Sequence, residues 1–340
     1  MPSTFVILGA SLAGGTAAAT LREEGFDGRI VLVGEEPQPP YERPPLSKKY
    51  LQGQQSFERC LVRPPGFYEA NGVETRFGVR ATRIDPAGRT VELADGERLA
   101  YDRVLVTTGA RNRRLPIPGL DLPGVYALRS VAEADRIAAE ARPGRKAVVV
   151  GMGFIGAEVA ASLRQLGLAV TAIEFFKVPL FRVLGEEVGR AVAGLHRDHG
   201  VDLVFEDSVV AFEGAGQVER VVTKAGRRID CDFAVVGLGV EPAAEVVAGT
   251  GVTLDNGIVV DAYCRTSVDG IYAAGDVANH YHPVFERQVR VEHWQNALKQ
   301  GAAAARSMLG KGEPYAEVHW FWSDPVRRQP AVRRLPHRVG

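Results

Sequence analysis

The stretch Ala147-Val148-Val149-Val150-Gly151-Met152-Gly153-Phe154-Ile155-Gly156 decides the fold. A short apolar run breaks into glycines spaced G-x-G-x-x-G. A segment with Ile155, Val159, Leu163 and Leu166 at helical spacing follows, predicting one buried helix face. Strand, tight turn and helix in that order let a pyrophosphate approach the backbone amides at the helix N-terminus, which side chains at the glycine positions would obstruct. The next strand, Val170-Thr171-Ala172-Ile173, ends at Glu174. A carboxylate there would bind adenosine ribose hydroxyls and repel a 2′-phosphate, favouring NADH over NADPH. Gly151, Gly153, Ile155, Gly156 and Glu174 are therefore candidate NADH-binding residues. Lys177 and Arg182 lie close enough to soften that preference, and Phe175-Phe176 can pack on adenine or on protein.

About 140 residues earlier the same grammar occurs. Phe5-Val6-Ile7-Leu8 leads into Gly9-Ala10-Ser11-Leu12-Ala13-Gly14-Gly15 and an alanine-rich helical stretch, with Ser11 where the central glycine usually stands. A second strand, Ile30 to Val33, ends at Glu35, roughly 20 residues after Gly14, where an acid accepts hydrogen bonds from a ribose. Two later segments, Arg103 to Ala110 and Phe233 to Gly239, are buried strands ending in small residues and read as chain crossings between domains. Gly239, which closes the second, joins the candidate cofactor-binding residues. Gly270-Ile271-Tyr272-Ala273-Ala274-Gly275-Asp276-Val277-Ala278 is a strand closing on an acid; alone, Asp276 is equally an N-cap.

The chain has 340 residues, 46% hydrophobic and 24% charged, enough for two cores. Basic and acidic residues balance at 41 each, which removes the bulk electrostatic argument for nucleic acid or an anionic membrane. Cys60, Cys231 and Cys264 are too scattered for a dithiol centre or a cysteine-built metal site, and no metal is expected. The N-terminus enters a strand without a leader pattern and no apolar run reaches spanning length, so a cytoplasmic location is expected.

On Gly9 to Gly14, Tyr41-Glu42-Arg43-Pro44-Pro45-Leu46-Ser47-Lys48, Gly151 to Glu158, Gly270 to Ala278, Glu292-His293-Trp294-Gln295-Asn296-Ala297 and Trp320-Phe321-Trp322-Ser323-Asp324, the sequence closely resembles the FAD-dependent ferredoxin reductases of oxygenase systems. These are the relatives of putidaredoxin reductase and of the reductases serving aromatic-ring dioxygenases. The resemblance implies an α/β fold of two Rossmann-like, glutathione-reductase-like dinucleotide-binding domains. FAD would occupy residues 1–112 plus 245–320, and NADH the inserted 113–244. It further implies FAD contacts from Gly9, Ala13, Gly14, Glu35, Arg43, Lys48, Ala81 on the adenine side, Arg129, Asp276 and Trp294. Lys48 would pair with Glu158 beside the flavin as the catalytic pair. The implied reaction passes a hydride from NADH to FAD and then single electrons to a [2Fe-2S] ferredoxin. An NADH oxidase or diaphorase, or a nucleotide-binding protein that no longer reduces a ferredoxin, is the alternative.

The resemblance stops at Asp324. From Pro325 to Gly340 the chain carries five arginines and no hydrophobic period. One reading is a basic arm for an acidic ferredoxin. The other is a one-base insertion near the codon for Pro325, because codons for Pro325 to Arg334 can be chosen that, read one base later, give Gln-Tyr-Asp-Val-Asn-Leu-Gln-Phe-Ala, the family continuation. On that reading the α+β C-terminal interface domain is missing, and an apolar face left exposed invites self-association.

Overall fold

The computed structural model describes residues 3–320, which form two compact α/β units. One takes in the chain up to Leu115, Arg129–Ala134 and the chain from Leu238 onward; the other takes in Pro116–Leu128 and Asp135–Gly237. The arginine-rich stretch, with both of its readings, and the Trp320-Phe321-Trp322-Ser323-Asp324 motif past its first residue lie outside the described residues.

The first unit is built on a parallel sheet of five strands in the order Ile271–Ala273, Arg103–Val106, Thr4–Leu8, Arg29–Gly34 and Val73–Phe77. Val6, Leu8, Val31, Val33, Val104 and Val106 enter one core with Val246 and Ile258. Phe5, Ile7, Ile30, Leu32 and Leu105 enter another with Ala17, Leu21 and Ala304. Successive side chains serve opposite faces and both faces are covered, which is why these strands read as continuous apolar runs. Helices Leu12–Glu23 and Trp294–Met308 cross on small residues: a Cβ at Gly301 would overlap the Ala13 carbonyl. Two three-stranded sheets complete the unit, one antiparallel (Ala81–Asp85, Thr90–Leu93, Arg98–Ala100) and one mixed (Ile258–Val260, Ala278–His282, Arg287–Arg290).

The second unit repeats the plan. Its parallel sheet runs Val201–Phe205, Ala169–Glu174, Lys146–Val150, Phe233–Val236, Val125–Tyr126. In each unit the strand that feeds the glycine loop lies between the strand leading to the acid and the later strand ending in small residues. That is the point where strand order reverses and a crevice opens beyond the carboxyl ends.

The boundaries differ from the expected 112 and 244. Residues 113–115, 129–134 and 238–244 go with the first unit. Strand Ala110–Asn112 pairs antiparallel with Val240–Pro242, and Arg113 N–H donates to the Gly239 carbonyl at 2.9 Å, so both connections are tied to the first unit. Among the described residues no helix is long and apolar enough to cross a membrane.

Candidate functional site

The first loop turns at Gly9, where φ is +115°, a value that disfavours a side chain. Its N–H donates to the Val33 carbonyl at 2.8 Å, and Thr107 Oγ1 donates to the Leu8 and Gly9 carbonyls at 3.1 and 2.9 Å. Gly14 lies on this turn: a Cβ would overlap the Gly9 carbonyl and stand 2.7 Å from Thr107 Oγ1. Ser11 gives the following helix no side-chain cap, so the first-turn amides, including that of Ala13, keep their positive end for an anion. A turn without side chains at Gly9 and Gly14, beneath an uncapped helix start, fits the pyrophosphate of FAD.

Glu35, exposed just past the Arg29–Gly34 strand, lines a cleft of about 650 Å³ with Thr75, Phe77, Val79 and Arg80. An acid beside an aromatic wall suits an adenosine. Ala81 does not line this cleft. It opens the next strand and packs, half-buried, against the apolar core, because the chain leaves the cleft at Arg80.

Beyond the loop, polar side chains from distant positions join in one chain. Arg43 Nη2 donates to Glu36 Oε1 at 2.7 Å, and its Nη1 donates to the Arg129 carbonyl and to Tyr41 Oη at 3.2 Å. Tyr41 Oη also donates to Glu36 and accepts from Val131 N–H at 3.1 Å. Arg129 Nη2 bonds Asp276 Oδ2 at 2.8 Å, while Arg129 Nε is buried with no hydrogen-bond partner among the described residues. Gly275 N–H donates to Gln300 Oε1 at 2.8 Å and holds the turn that presents Asp276. Burial pushes the Glu42 carboxyl above its usual range, against the opposing pull of the neighbouring Trp294. Lys48 is half-buried, its Nζ 3.2 Å from the Pro44 carbonyl. Arg43, Arg129 and Asp276 are thus brought together, with a spare buried donor among them, a fit for the polar edge of a flavin nucleotide. Replacing Asp276 by Ala strands the Arg129 guanidinium, at a cost of about 1–3 kcal/mol. We expect FAD to be released roughly tenfold more readily, read as the flavin-to-protein ratio after gel filtration; an unchanged ratio removes Asp276 from the FAD site.

In the second unit Gly151 turns at φ +87°, and a Cβ at Gly156 would overlap its carbonyl. Gly153 caps the helix Phe154–Gln165 without a side chain and faces open space. Glu174 is buried at the strand end, its Oε2 accepting from Met152 N–H at 2.5 Å and its Oε1 from Phe176 N–H at 2.9 Å. The acid therefore fastens the glycine loop to the end of its own strand. Lys177 is ion-paired with Glu186, and Arg182 lies over the Phe176 ring, which stacks on Phe181. Phe175 is 68% exposed.

Ile155 departs from the expected buried face. Val159 and Leu163 are fully buried, but Ile155 is 43% exposed, because it lies in the first turn at the open end of the loop, where a ligand rather than protein would cover it. Glu158 is buried in the same helix and belongs to the second unit; Lys48 belongs to the first. Gly239 also falls in the first unit, at φ +85°, its carbonyl taken by Arg113. Sequence reasoning passed over Glu36, Tyr41 and Thr107. Tyr41 stood inside the quoted Tyr41–Lys48 motif and Thr107 inside the Arg103–Ala110 strand, so both were visible without a role.

The sequence matches the family described as pyridine nucleotide-disulphide oxidoreductase over residues 3–301. It is 41% identical over 322 residues to rhodocoxin reductase of Rhodococcus erythropolis, covering 94% of this chain and 75% of that protein. It is 40% identical to the ferredoxin–NAD(+) reductase component of the anthranilate 1,2-dioxygenase system of Burkholderia cepacia, covering 94% and 79%. The fold superposes on putidaredoxin reductase in its covalent complex with putidaredoxin, with a TM-score of 0.92 and 35% identity over 95% of this chain and 79% of that one. The disulphide of the family description has no counterpart among the described residues. Cys60, Cys231 and Cys264 are buried and unpaired, and burial pushes the Cys231 and Cys264 thiols up to about 12. With two glycine-loop units, an acid following each second strand and similarity along nearly its whole length, the chain belongs to the pyridine nucleotide-disulphide oxidoreductase family.

Proposed function

We propose that this chain is the NADH-dependent, FAD-containing reductase that supplies single electrons to a [2Fe-2S] ferredoxin serving an oxygenase. The observation that carries the reading is the presence of two separate nucleotide cradles in one chain whose described cysteines are buried and unpaired. A family member without a dithiol relay must pass electrons directly to its acceptor. When bound, FAD would take up the hydride of NADH and pass its two electrons on one at a time, the proton leaving to solvent. The protein supplies position and charge. The Gly9–Gly14 loop holds the pyrophosphate, Glu35 the adenosine ribose, and Arg43, Arg129 and Asp276 fix the remaining polar edge. The Gly151–Gly156 loop and Glu174 receive NADH, with the Glu174 charge opposing a 2′-phosphate and Lys177 already engaged by Glu186. A protein with this role works in the cytoplasm, where NADH is available.

Lys48 and Glu158 are assigned to stabilise negative charge on the reduced flavin and to position the nicotinamide. Lys48→Ala and Glu158→Ala are expected to slow flavin reduction by NADH roughly tenfold, with FAD retained. Stopped-flow traces at the parent rate in both variants would take them off the catalytic list.

The reading as a whole is tested by purifying the chain and following its absorption spectrum, NADH titration and cytochrome c reduction with and without a [2Fe-2S] ferredoxin. Bound flavin, bleaching by NADH and ferredoxin-dependent turnover are expected. Absence of flavin overturns the reading, and turnover indifferent to ferredoxin replaces it with a diaphorase.

A further inference from the structure

Within the first unit, away from the nucleotide loop, strand Ala278–His282 carries His280 and His282 two residues apart, hence on one face. His319 approaches them from the segment that ends the described chain. The three rings lie 5.2–5.7 Å apart, centroid to centroid, and one ligand atom from each falls within 4.8 Å of the others. His280 and His282 are buried and His319 is half-buried. Both His319 ring nitrogens lack a hydrogen-bond partner among the described residues, and those of His280 meet nothing better than a weak contact with the Val289 backbone. Unsatisfied nitrogens of this kind are an unfavourable way to fill a core unless something else satisfies them.

We propose that His280, His282 and His319 form a binding site for a zinc-type divalent transition-metal ion. The donor set decides the class of ion: three imidazoles without a carboxylate suit zinc, copper or nickel and reject calcium and magnesium. The outer contacts also fit. His282 Nε2 donates to the Glu317 carbonyl at 3.1 Å, the backbone-carbonyl support that orients a ligating imidazole, leaving Nδ1 as the acceptor. That Nδ1 accepts from the Val284 and Phe285 amides at 3.2 and 3.4 Å, long contacts that a bound ion would displace. Phe285 stacks on His282, and Tyr315, anchored through its N–H to the Ala262 carbonyl, lies edge-on to His280, so aromatic rings brace two of the three imidazoles. Zinc bonds of about 2.0–2.1 Å to nitrogen require the rings to draw together by roughly 1 Å, within reach of side-chain rotation. A fourth position stays open for water. The ion would clamp the Ala278–His282 strand, two residues after Asp276, to the chain's last described segment. Cysteine spacing gave no hint of it because the ligands are histidines from positions far apart in sequence.

The test uses the full chain without an affinity tag, stripped with a chelator and titrated with Zn²⁺ and, separately, Co²⁺. One zinc per chain by elemental analysis and the intense visible bands of tetrahedral cobalt are expected. His319→Gln and His280→Gln should lose on the order of 100-fold or more in zinc affinity, because removing a ligand exceeds the 10–100-fold loss from its outer support. His337→Ala should bind as the parent does. Flavin content and circular dichroism check that the variants fold. Failure of the parent to retain metal, a pale octahedral cobalt spectrum, or unchanged binding in His319→Gln overturns the proposal; should a variant unfold, the parent's cobalt spectrum decides.

Discussion

Gly156→Ala is expected to cut NADH-driven reduction of the flavin at least about 100-fold while FAD stays bound, and Gly14→Ala is expected to lose FAD itself. Both rest on the same geometry. The side chain added at Gly156 overlaps the Gly151 carbonyl, and that added at Gly14 overlaps the Gly9 carbonyl. The obstacle is backbone already committed: Gly151 N–H bonds Ile173, and Gly9 is held by Val33 and Thr107. A flexible side chain could swing away, whereas here helix and loop must separate, at a cost of about 3 kcal/mol or more. On the proposed function the helix start receives the pyrophosphate, so the strain falls where the nucleotide would bind. We expect kcat/KM for NADH to fall at least about 100-fold in Gly156→Ala, since 1.4 kcal/mol is a factor of ten. Gly153→Ala is the control. Its Cβ meets nothing within 4 Å, so it should fold normally and show only the milder effect of crowding the ligand. Parent-rate bleaching of Gly156→Ala by NADH, or equal defects in Gly153→Ala and Gly156→Ala, would sink the argument.

The glycine loops were legible because everything that makes them is local. Strand, turn, helix and acid occur within about 30 residues, and each residue type has a single physical reason to be there. The double plan followed from recurrence of that grammar. The parts that were not legible are the non-local ones. Arg43 reaches the Arg129 carbonyl and Arg129 reaches Asp276, pairings set by how the chain returns to the first sheet, on which neither period 2 nor period 3.6 bears. The resemblance named those three residues without supplying Glu36 and Tyr41, which hold Arg43 in place. Ile155 shows the opposite limit. Helical periodicity put it on the buried face with Val159 and Leu163, but the face runs out at the first turn, where the loop opens. The unit boundary moved for a similar reason: pairing of Ala110–Asn112 with Val240–Pro242 returns the connections to the first unit, and short two-stranded ribbons leave little trace in sequence.

Acid weakens the second unit through one histidine. His196, in helix Phe181–Asp198, is fully buried, and neither ring nitrogen has a hydrogen-bond partner among the described residues. Burial, helped by the nearby charge of His199, pushes its value from 6.5 down to about 4. The unfolded chain therefore takes up this proton near pH 6.5, and the folded chain only near pH 4. Between those values the unfolded state binds more protons, so stability rises with pH across the window; it is complete above 6.5 and lost as pH falls toward 4. At about 1.4 kcal/mol per pH unit the loss reaches roughly 3 kcal/mol, a large share of the stability of an ordinary domain. His196→Leu has similar volume and nothing to titrate, and removing two unsatisfied nitrogens is itself neutral or favourable. Hydrogen exchange of the helix amides around His196, corrected for intrinsic rates, isolates this unit from the rest of the chain. From pH 7 to about pH 4.5 the parent should lose roughly 100-fold more protection there than His196→Leu. Equal losses in the two proteins would show that His196 meets a partner when protonated and that acid acts elsewhere.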